Sequence, residues 1–257
     1  MRVNQVKRKL QAGEPSVGTW LSLGSPTAAR FMAQVGFDWL TVDLEHNPIS
    51  IETAATCFAL ISATETAPLA RIPWNTGENI KRVLDSGAWG IVVPMVCSRP
   101  EAEAAVAAAK HPPEGVRSIG GSLHALSFGT DGGTYYARAN EEILVVIQAE
   151  HIRAVEQADE IFSVPGLDAV FVGPNDLLAS MGKKPRMETE DPDFVEALEH
   201  IRTTAKKYGV APGIHVGTVE AVQRRIAEGW QFIALASELG LMLGAAHQAL
   251  EALKAGL

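Results

Sequence analysis

Ionisable and amide side chains are concentrated in four short segments of this sequence, each at the end of an apolar run. The segments are Asp43-Leu44-Glu45-His46, Arg71, Gln148-Ala149-Glu150 and Gly173-Pro174-Asn175-Asp176. Gln148 and Glu150 lie two residues apart, so an extended strand directs both side chains to the same side. Burying several charges together is costly unless they pair or bind a cation. The four segments therefore predict one polar site that a divalent cation would stabilise.

The carboxylates of Glu150 and Asp176, together with the amide of Gln148, predict where that cation binds. Hard oxygen ligands with positions left for water suit Mg²⁺ or Mn²⁺, and Co²⁺ or Zn²⁺ are the alternatives. A competing interpretation is that Glu150 and Asp176 cap the helices that follow them. Spacing alone leaves both interpretations open, because short carboxylate patterns often occur by chance.

Three more residues are candidates for catalysis. His46 is a candidate general base, since imidazole titrates near neutral pH, or else a hydrogen-bonded loop histidine. Arg71 would hold a carboxylate or stabilise an oxyanion, or else pair with Asp43 or Glu45. Asp85 ends a predicted helix, where a carboxylate opposes the helix dipole. This position predicts a partner for Asp85, such as a histidine, and the alternative is a solvated turn.

Other polar residues receive a structural interpretation or exclude a reaction class. We interpret His124, His215 and Glu238 as structural or peripheral, although loops or strand ends bring them within reach of a substrate. All nine lysines fall on predicted helices or loops, which argues against a Schiff-base enzyme. The glycine-rich fingerprints of dinucleotide and ATP sites are absent from the sequence.

The elements that position these residues alternate between short β-type runs and longer helical stretches, a pattern typical of βα units. The predicted strands are Val17 to Leu23, Trp39 to Asp43, Leu69 to Ile72, Gly90 to Met95, Ile143 to Ala149, Ala169 to Val172, Ala211 to His215 and Phe232 to Ala236. The predicted helices are Pro26 to Val35, Ile51 to Ala63, Glu78 to Asp85, Pro100 to Lys110, Ile152 to Phe162, Phe194 to Tyr208, Val219 to Glu228 and Leu241 to Lys254. Eight units predict an α/β fold, a single-domain (β/α)₈ TIM barrel over residues 1–257, with a doubly wound open sheet as the alternative.

One long irregular segment, residues 111–134, interrupts this alternation and is rich in Gly and Ser. Connections of that length commonly act as lids or binding loops. We therefore expect this segment to lie over the active site.

Composition limits the function classes. The 257 residues are 47% hydrophobic and 20% charged, with a net charge of −8 and two cysteines. This balance argues against nucleic-acid binding and favours a small-molecule substrate, and no apolar run is long enough for a membrane span. Basic residues near the start lack the apolar segment of a secretory signal, so we expect a cytoplasmic protein without disulfides.

Taken together, the motifs resemble those of the class II, metal-dependent pyruvate aldolases of the HpcH/HpaI aldolase family. The resemblance covers nearly the full length. It rests on Gly18-Thr19-Trp20-Leu21, Gly36-Phe37-Asp38-Trp39, Asp43-Leu44-Glu45-His46, Arg71-Ile72-Pro73, Leu84-Asp85-Ser86-Gly87, Val93-Pro94-Met95-Val96, Gln148-Ala149-Glu150 and Gly173-Pro174-Asn175-Asp176-Leu177. Several motifs in the same order make the resemblance specific.

The resemblance implies a role for each catalytic candidate. Glu150 and Asp176 would bind the metal, and His46 would act as the base. Asp85 would raise the basicity of His46, and Arg71 would stabilise the transition state.

It also implies how substrate and subunits are arranged. Gln148, Asn175 and Asp176 would contact the bound keto acid. The usual assembly of the family is a homohexamer with active sites near subunit interfaces.

The sequence departs from the family pattern at three places. Ser118 to His124 replaces a stretch that often carries additional arginines. Asn175 stands where a small residue is common, and His215 stands where strand seven is usually apolar. The departure in residues 118–124 bears on recognition of the aldehyde acceptor, and Asn175 and His215 are expected to reshape the pocket.

The resulting hypothesis is a metal-dependent aldolase that reversibly cleaves a 4-hydroxy-2-oxo acid of the 2-keto-3-deoxy acid type to pyruvate and an aldehyde. Such a reaction would belong to the catabolism of aromatic compounds or sugar acids. The alternatives are a related metal-dependent lyase for 2-oxo acids or acyl-CoA esters, and a non-catalytic binding barrel.

Overall fold

The computed structural model of the chain describes residues 1–256 and contains a closed barrel of eight parallel strands. The strands are β1 (Ser16–Leu21), β2 (Trp39–Asp43), β3 (Ala67–Arg71), β4 (Gly90–Val93), β5 (Leu144–Gln148), β6 (Ala169–Val172), β7 (Ala211–Val216) and β8 (Phe232–Ser237). Each strand pairs with the next in sequence, and β8 pairs with β1. This closure confirms the predicted barrel and excludes the open sheet.

Buried apolar runs explain why these segments form strands. All residues of β5 and β6 are buried, because a barrel strand packs against the barrel interior on one face and against helices on the other. The predicted strand boundaries differ from the observed ones by at most two residues. The differences arise at strand ends, where apolar residues continue into the loops.

Thirteen helices accompany the strands within residues 1–256. They are α1 (Gln5–Gln11), α2 (Pro26–Met32), α3 (Ile51–Ile61), α4 (Gly77–Asp85), α5 (Arg99–Ala109), α6 (Leu123–Ser127), α7 (Gly132–Glu142), α8 (Ile152–Glu156), α9 (Ala158–Phe162), α10 (Pro174–Ser180), α11 (Pro192–Lys207), α12 (Val219–Glu228) and α13 (Glu238–Ala255). The single helix predicted from Ile152 to Phe162 is interrupted at Gln157, and α1, α6, α7 and α10 were not predicted.

The long segment 111–134 lies at the end of the barrel opposite to the predicted site. It follows α5, contains α6 and ends within α7, which leads to the start of β5. The Phe128 carbonyl there accepts a hydrogen bond from the Arg2 N–H. The expectation that this segment covers the site is therefore wrong within one chain, because a connection from helix to strand reaches only the amino ends of the strands.

Helix α13 has little contact with the rest of the chain. Of its 18 residues, only Glu238 is buried, whereas Leu250 and Leu253 are 49% and 68% exposed. The helix therefore presents apolar side chains that a single chain leaves uncovered. Within residues 1–256, no helix combines the length and apolarity that crossing a membrane requires.

Candidate active site

A cavity of about 180 Å³ opens at the carboxyl ends of the strands. It is lined by Trp20, His46, Arg71, Gln148, Glu150, Phe171, Gly173, Pro174, Asn175, Asp176, Met187 and His215. The cavity brings together every predicted site residue except Asp85. Catalytic groups of TIM barrels come from this end of the strands, so the cavity is the candidate active site.

Arg71, at the end of β3, is held rigidly at one wall of the cavity. Its Nε and Nη2 each lie 2.8 Å from an oxygen of Asp43, and its guanidinium stacks 4.4 Å from the centre of the Trp20 ring. Burial alone would raise the pKa of Asp43, but the hydrogen bonds and charge of Arg71 hold it below its ordinary value. The predicted pairing of Arg71 with Asp43 is therefore confirmed, and Arg71 still lines the cavity with N–H groups to spare.

Glu150, just after β5, is the most deeply buried carboxylate of the cavity. Its Oε1 accepts a hydrogen bond of 2.9 Å from the Met95 N–H, and its Oε2 accepts one of 2.6 Å from Gln148 Nε2. Burial raises the pKa of Glu150 to about 7, opposed by the Met95 N–H and reinforced by the nearby Asp176 carboxylate. A side chain at Gly173 would displace the Glu150 carboxylate, because a Cβ at that position would lie 2.5 Å from Glu150 Oε2.

The oxygen atoms around Glu150 fit a divalent cation. Oε1 of Gln148 is buried without a hydrogen-bond partner, and the carboxylates of Glu150 and Asp176 lie close enough to repel each other. A hard cation would satisfy the free oxygen and relieve the repulsion. Within residues 1–256, no three His, Cys, Asp or Glu side chains form a metal cluster, so the protein would supply two carboxylates and one amide.

The capping interpretation of the two carboxylates is wrong. Helix α8 is capped by the side chain of His151, and α10 begins at Gly173 without any side-chain cap. Glu150 instead bonds to Met95 and Gln148. Asp176 lies in the first turn of α10, where a carboxylate suits the helix dipole, but neither Glu150 nor Asp176 makes a capping hydrogen bond, so both carboxylates remain available for a ligand.

Glu45 is a site residue that the sequence analysis underestimated. Its Oε2 is buried without a hydrogen-bond partner, 3.3 Å from Arg71 Nε and 3.6 Å from His46 Nε2. Burial raises the pKa of Glu45, although the charges of Arg71 and His46 oppose the rise. The signal was present, because Glu45 follows Asp43 at the strand period of two. The sequence places Glu45 in a polar segment of the site and offers it as a partner for Arg71.

His46 and Asp85 lie far apart in one chain. The side chain of His46 is 62% exposed at the cavity mouth, where its neighbour is Glu45. Asp85 ends α4 at the opposite face of the barrel and accepts a hydrogen bond of 2.7 Å from Arg117 Nη2. The prediction that Asp85 assists His46 is therefore wrong within one chain, since helix α4 runs away from the cavity.

The three residues that we interpret as structural or peripheral differ in whether they line the cavity. They are His124, His215 and Glu238. Glu238 accepts hydrogen bonds from the N–H groups of Ser22 and Leu23, and His124 packs 4.2 Å from the Tyr135 ring, distant from the cavity. Neither residue lines the cavity. His215 differs, because its side chain lines the cavity.

The comparisons with known proteins agree with the identification of this cavity as the candidate active site. The family model described as HpcH/HpaI aldolase/citrate lyase matches residues 16–245. A 5-keto-4-deoxy-D-glucarate aldolase from Escherichia coli O6:H1 (strain CFT073) is 36% identical over 252 residues, which cover 98% of this chain and 97% of that protein.

Two solved structures give the same picture. An HpcH/HpaI aldolase/citrate lyase family protein from Burkholderia cenocepacia J2315 is 33% identical with a TM-score of 0.91, over 98% of this chain and 100% of that one. An HpcH/HpaI aldolase from Desulfitobacterium hafniense DCB-2 is 30% identical with a TM-score of 0.89, over 96% of each chain. The similarity thus extends over the whole barrel.

Proposed function

This chain is an aldolase that belongs to the HpcH/HpaI aldolase/citrate lyase family, and from that premise we propose the reaction and the residues that carry it. The proposed reaction is the reversible cleavage of a 4-hydroxy-2-oxo acid to pyruvate and an aldehyde. The observation that supports it is a single cavity that combines a fixed arginine with two carboxylates and an amide oxygen without a partner.

The chemistry requires two things of the site. A base must take the proton of the C4 hydroxyl, so that the electrons of the C3–C4 bond move to C3 as the aldehyde forms. The remaining three-carbon fragment is the enolate of pyruvate, which becomes pyruvate when C3 takes up a proton. The site must therefore stabilise a negative charge on the former keto oxygen.

Residues of this chain supply that stabilisation in our proposal. Glu150, Asp176 and Gln148 would hold a divalent cation, with Mg²⁺ or Mn²⁺ favoured by the oxygen ligands and Co²⁺ or Zn²⁺ as alternatives. A bound cation of this kind acts as a Lewis acid on a keto oxygen. Arg71 adds a positive charge that Asp43 and Trp20 hold in place.

Substrate contacts and proton transfer are assigned to the remaining cavity residues. Gln148, Asn175 and Asp176 line the cavity where a keto acid would bind. His46 is the proposed base for the C4 hydroxyl, and its exposed position at the mouth suits a group that faces the aldehyde half. Asp85 can support His46 only from a second copy of the chain, because the two residues lie at opposite faces of one barrel.

The alternative reactions receive less support from the cavity. An acyl-CoA substrate needs cations for its nucleotide phosphates, and Arg71 is the one lysine or arginine that lines the cavity in residues 1–256. A non-catalytic barrel does not account for a carboxylate as costly to bury as Glu150. The name of the relative from Escherichia coli supports a sugar-acid type of 2-keto-3-deoxy acid.

We also propose a homo-oligomer, a hexamer by resemblance to the family, that functions in the cytoplasm. The exposed apolar side chains of α13 support association, because such a surface is rarely left open to water.

The test is direct. Purified enzyme with Mg²⁺ or Mn²⁺ is expected to release pyruvate from a 4-hydroxy-2-oxo acid, measured by oxidation of NADH with lactate dehydrogenase. Heat-inactivated enzyme is the control. A failure to release pyruvate from any 2-keto-3-deoxy sugar acid, with either metal, would contradict the proposed reaction.

A further inference from the structure

His215 lies near the end of β7 and forms part of the cavity wall, yet the proposed reaction gives it no task. Its ring sits 5.9 Å from the Trp20 ring and 6.4 Å from the Phe171 ring, measured between centroids. Its Nε2 lies 3.1 Å from the carbonyl oxygen of Ala236. Because a carbonyl oxygen only accepts, Nε2 carries the proton and a neutral ring leaves Nδ1 as an acceptor.

The surroundings keep this ring neutral. Burial lowers the pKa of His215 to about 4, and the nearby charge of Arg71 acts in the same direction. The Ala236 carbonyl and the Asp43 carboxylate oppose the shift without reversing it. Nδ1 is thus an acceptor and not a donor at neutral pH.

The backbone that orients the ring is strained. Within residues 1–256, Met95 and Ala236 are the two non-glycine residues with positive φ, at 54° and 47°. The pairing of β8 with β1 is irregular at the same place, between Gly18 and Trp20. Such backbone strain is unfavourable and concentrates at functional sites. Met95 binds Glu150, and Ala236 binds His215, so both strained residues hold a side chain of the cavity.

Within residues 1–256, Nδ1 of His215 has no hydrogen-bond partner. It is not among the side-chain atoms that are fully buried without a partner, so it remains accessible from the cavity. It does not complete a metal cluster with Glu150 and Asp176, since no three such side chains converge within residues 1–256. Its partner is therefore a donor from the solvent or from a bound molecule, and a substrate that fills the cavity would have to replace the solvent donor. Pyruvate has none, because its carboxylate and keto oxygens accept and its methyl group does neither.

We propose that Nδ1 of His215 accepts a hydrogen bond from a hydroxyl group on the aldehyde half of the substrate, so that the enzyme selects 2-hydroxyaldehydes over unsubstituted ones. In the cleavage direction this hydroxyl stands on C5, next to the C4 hydroxyl that loses its proton. This inference rests on the proposed function, which accounts for the pyruvate half of the substrate. It adds His215 as the residue that recognises the aldehyde half.

The test compares two aldehydes of equal size in the synthesis direction with pyruvate. Glycolaldehyde and propanal differ in a hydroxyl group that replaces a methyl group. The measured quantity is the ratio of their kcat/KM values in the wild type and in variants, which cancels their intrinsic reactivity. His215→Leu removes both hydrogen bonds of the ring, whereas His215→Gln can keep the bond to the Ala236 carbonyl and removes the Nδ1 acceptor.

We expect the ratio to fall by about tenfold in both variants, the usual effect of losing one hydrogen bond to a neutral group. His215→Asn keeps an acceptor oxygen near Nδ1 and should retain part of the preference. If one variant fails to fold by circular dichroism, the others carry the same comparison.

An unchanged ratio in folded His215→Leu and His215→Gln would overturn the inference while leaving the proposed function intact. Equal loss of activity toward both aldehydes would also overturn it, since His215 would then serve the common chemistry. Absence of any product and of pyruvate proton exchange in the wild type would instead contradict the proposed function, and this inference with it.

Discussion

Glu150→Gln is expected to lower metal-dependent cleavage by about 10³-fold or more at ordinary metal concentrations, because a metal contributes several kcal/mol to transition-state stabilisation. The substitution keeps the size of the side chain but removes a charged ligand. The fold should persist, since the Glu150 carboxylate is costly to bury, with a pKa raised to about 7. The measurement is kcat/KM for pyruvate release, with the thermal midpoint recorded beside it.

Glu103→Gln is the matched control, because Glu103 pairs with Arg99 on the exposed side of α5. Its activity should equal that of the wild type. If Glu150→Gln were as active as Glu103→Gln at the same metal concentration, Glu150 would not be a metal ligand.

Arg71→Lys is expected to lower kcat by about 10²-fold, with a smaller change in KM. Lysine keeps the charge but cannot reproduce the two hydrogen bonds to Asp43 or the stacking on Trp20, so the charge would no longer be fixed at the developing enolate. The same variant should also lose exchange of the pyruvate methyl protons with D₂O, measured by NMR. Both steps pass through the same enolate.

Arg138→Lys is the control for Arg71→Lys, and His46→Ala tests the proposed base. Arg138→Lys, on the exposed side of α7, should leave both activities unchanged. His46→Ala should lower cleavage by about 10²- to 10⁴-fold, the usual size of a general-base effect, and still bind pyruvate. Normal proton exchange in Arg71→Lys would refute the enolate role of Arg71.

The barrel and most of its site could be predicted from the sequence because both follow local rules. Alternation of apolar runs and helical stretches identified all eight strands, and the polar residues at their ends therefore had to meet at one face. Gln148 and Glu150 share a direction simply because they are two residues apart on β5 and its extension. Such inferences need only the strand period and the closure of the barrel.

The predictions that failed depended on which end of the barrel a residue reaches. Segment 111–134 follows a helix and Asp85 ends one, so both lie at the amino ends of the strands, away from the cavity. The order of strands and helices along the chain already implies this position, because every helix of a βα unit leads back to the amino end of the next strand. The orientation of the His215 ring could not be predicted, because it depends on the positive φ of Ala236 at an irregularity of β8 that no sequence motif marks.

We propose above all that this cavity forms the enolate of pyruvate with the help of a divalent cation bound at Glu150 and Asp176. The most direct measurement is exchange of the pyruvate methyl protons in D₂O, which needs no knowledge of the natural aldehyde. Wild-type enzyme with Mg²⁺ or Mn²⁺ should show exchange, lose it with EDTA and recover it when metal is restored in excess. Exchange that persists undiminished in EDTA, or none with either metal, would contradict the claim.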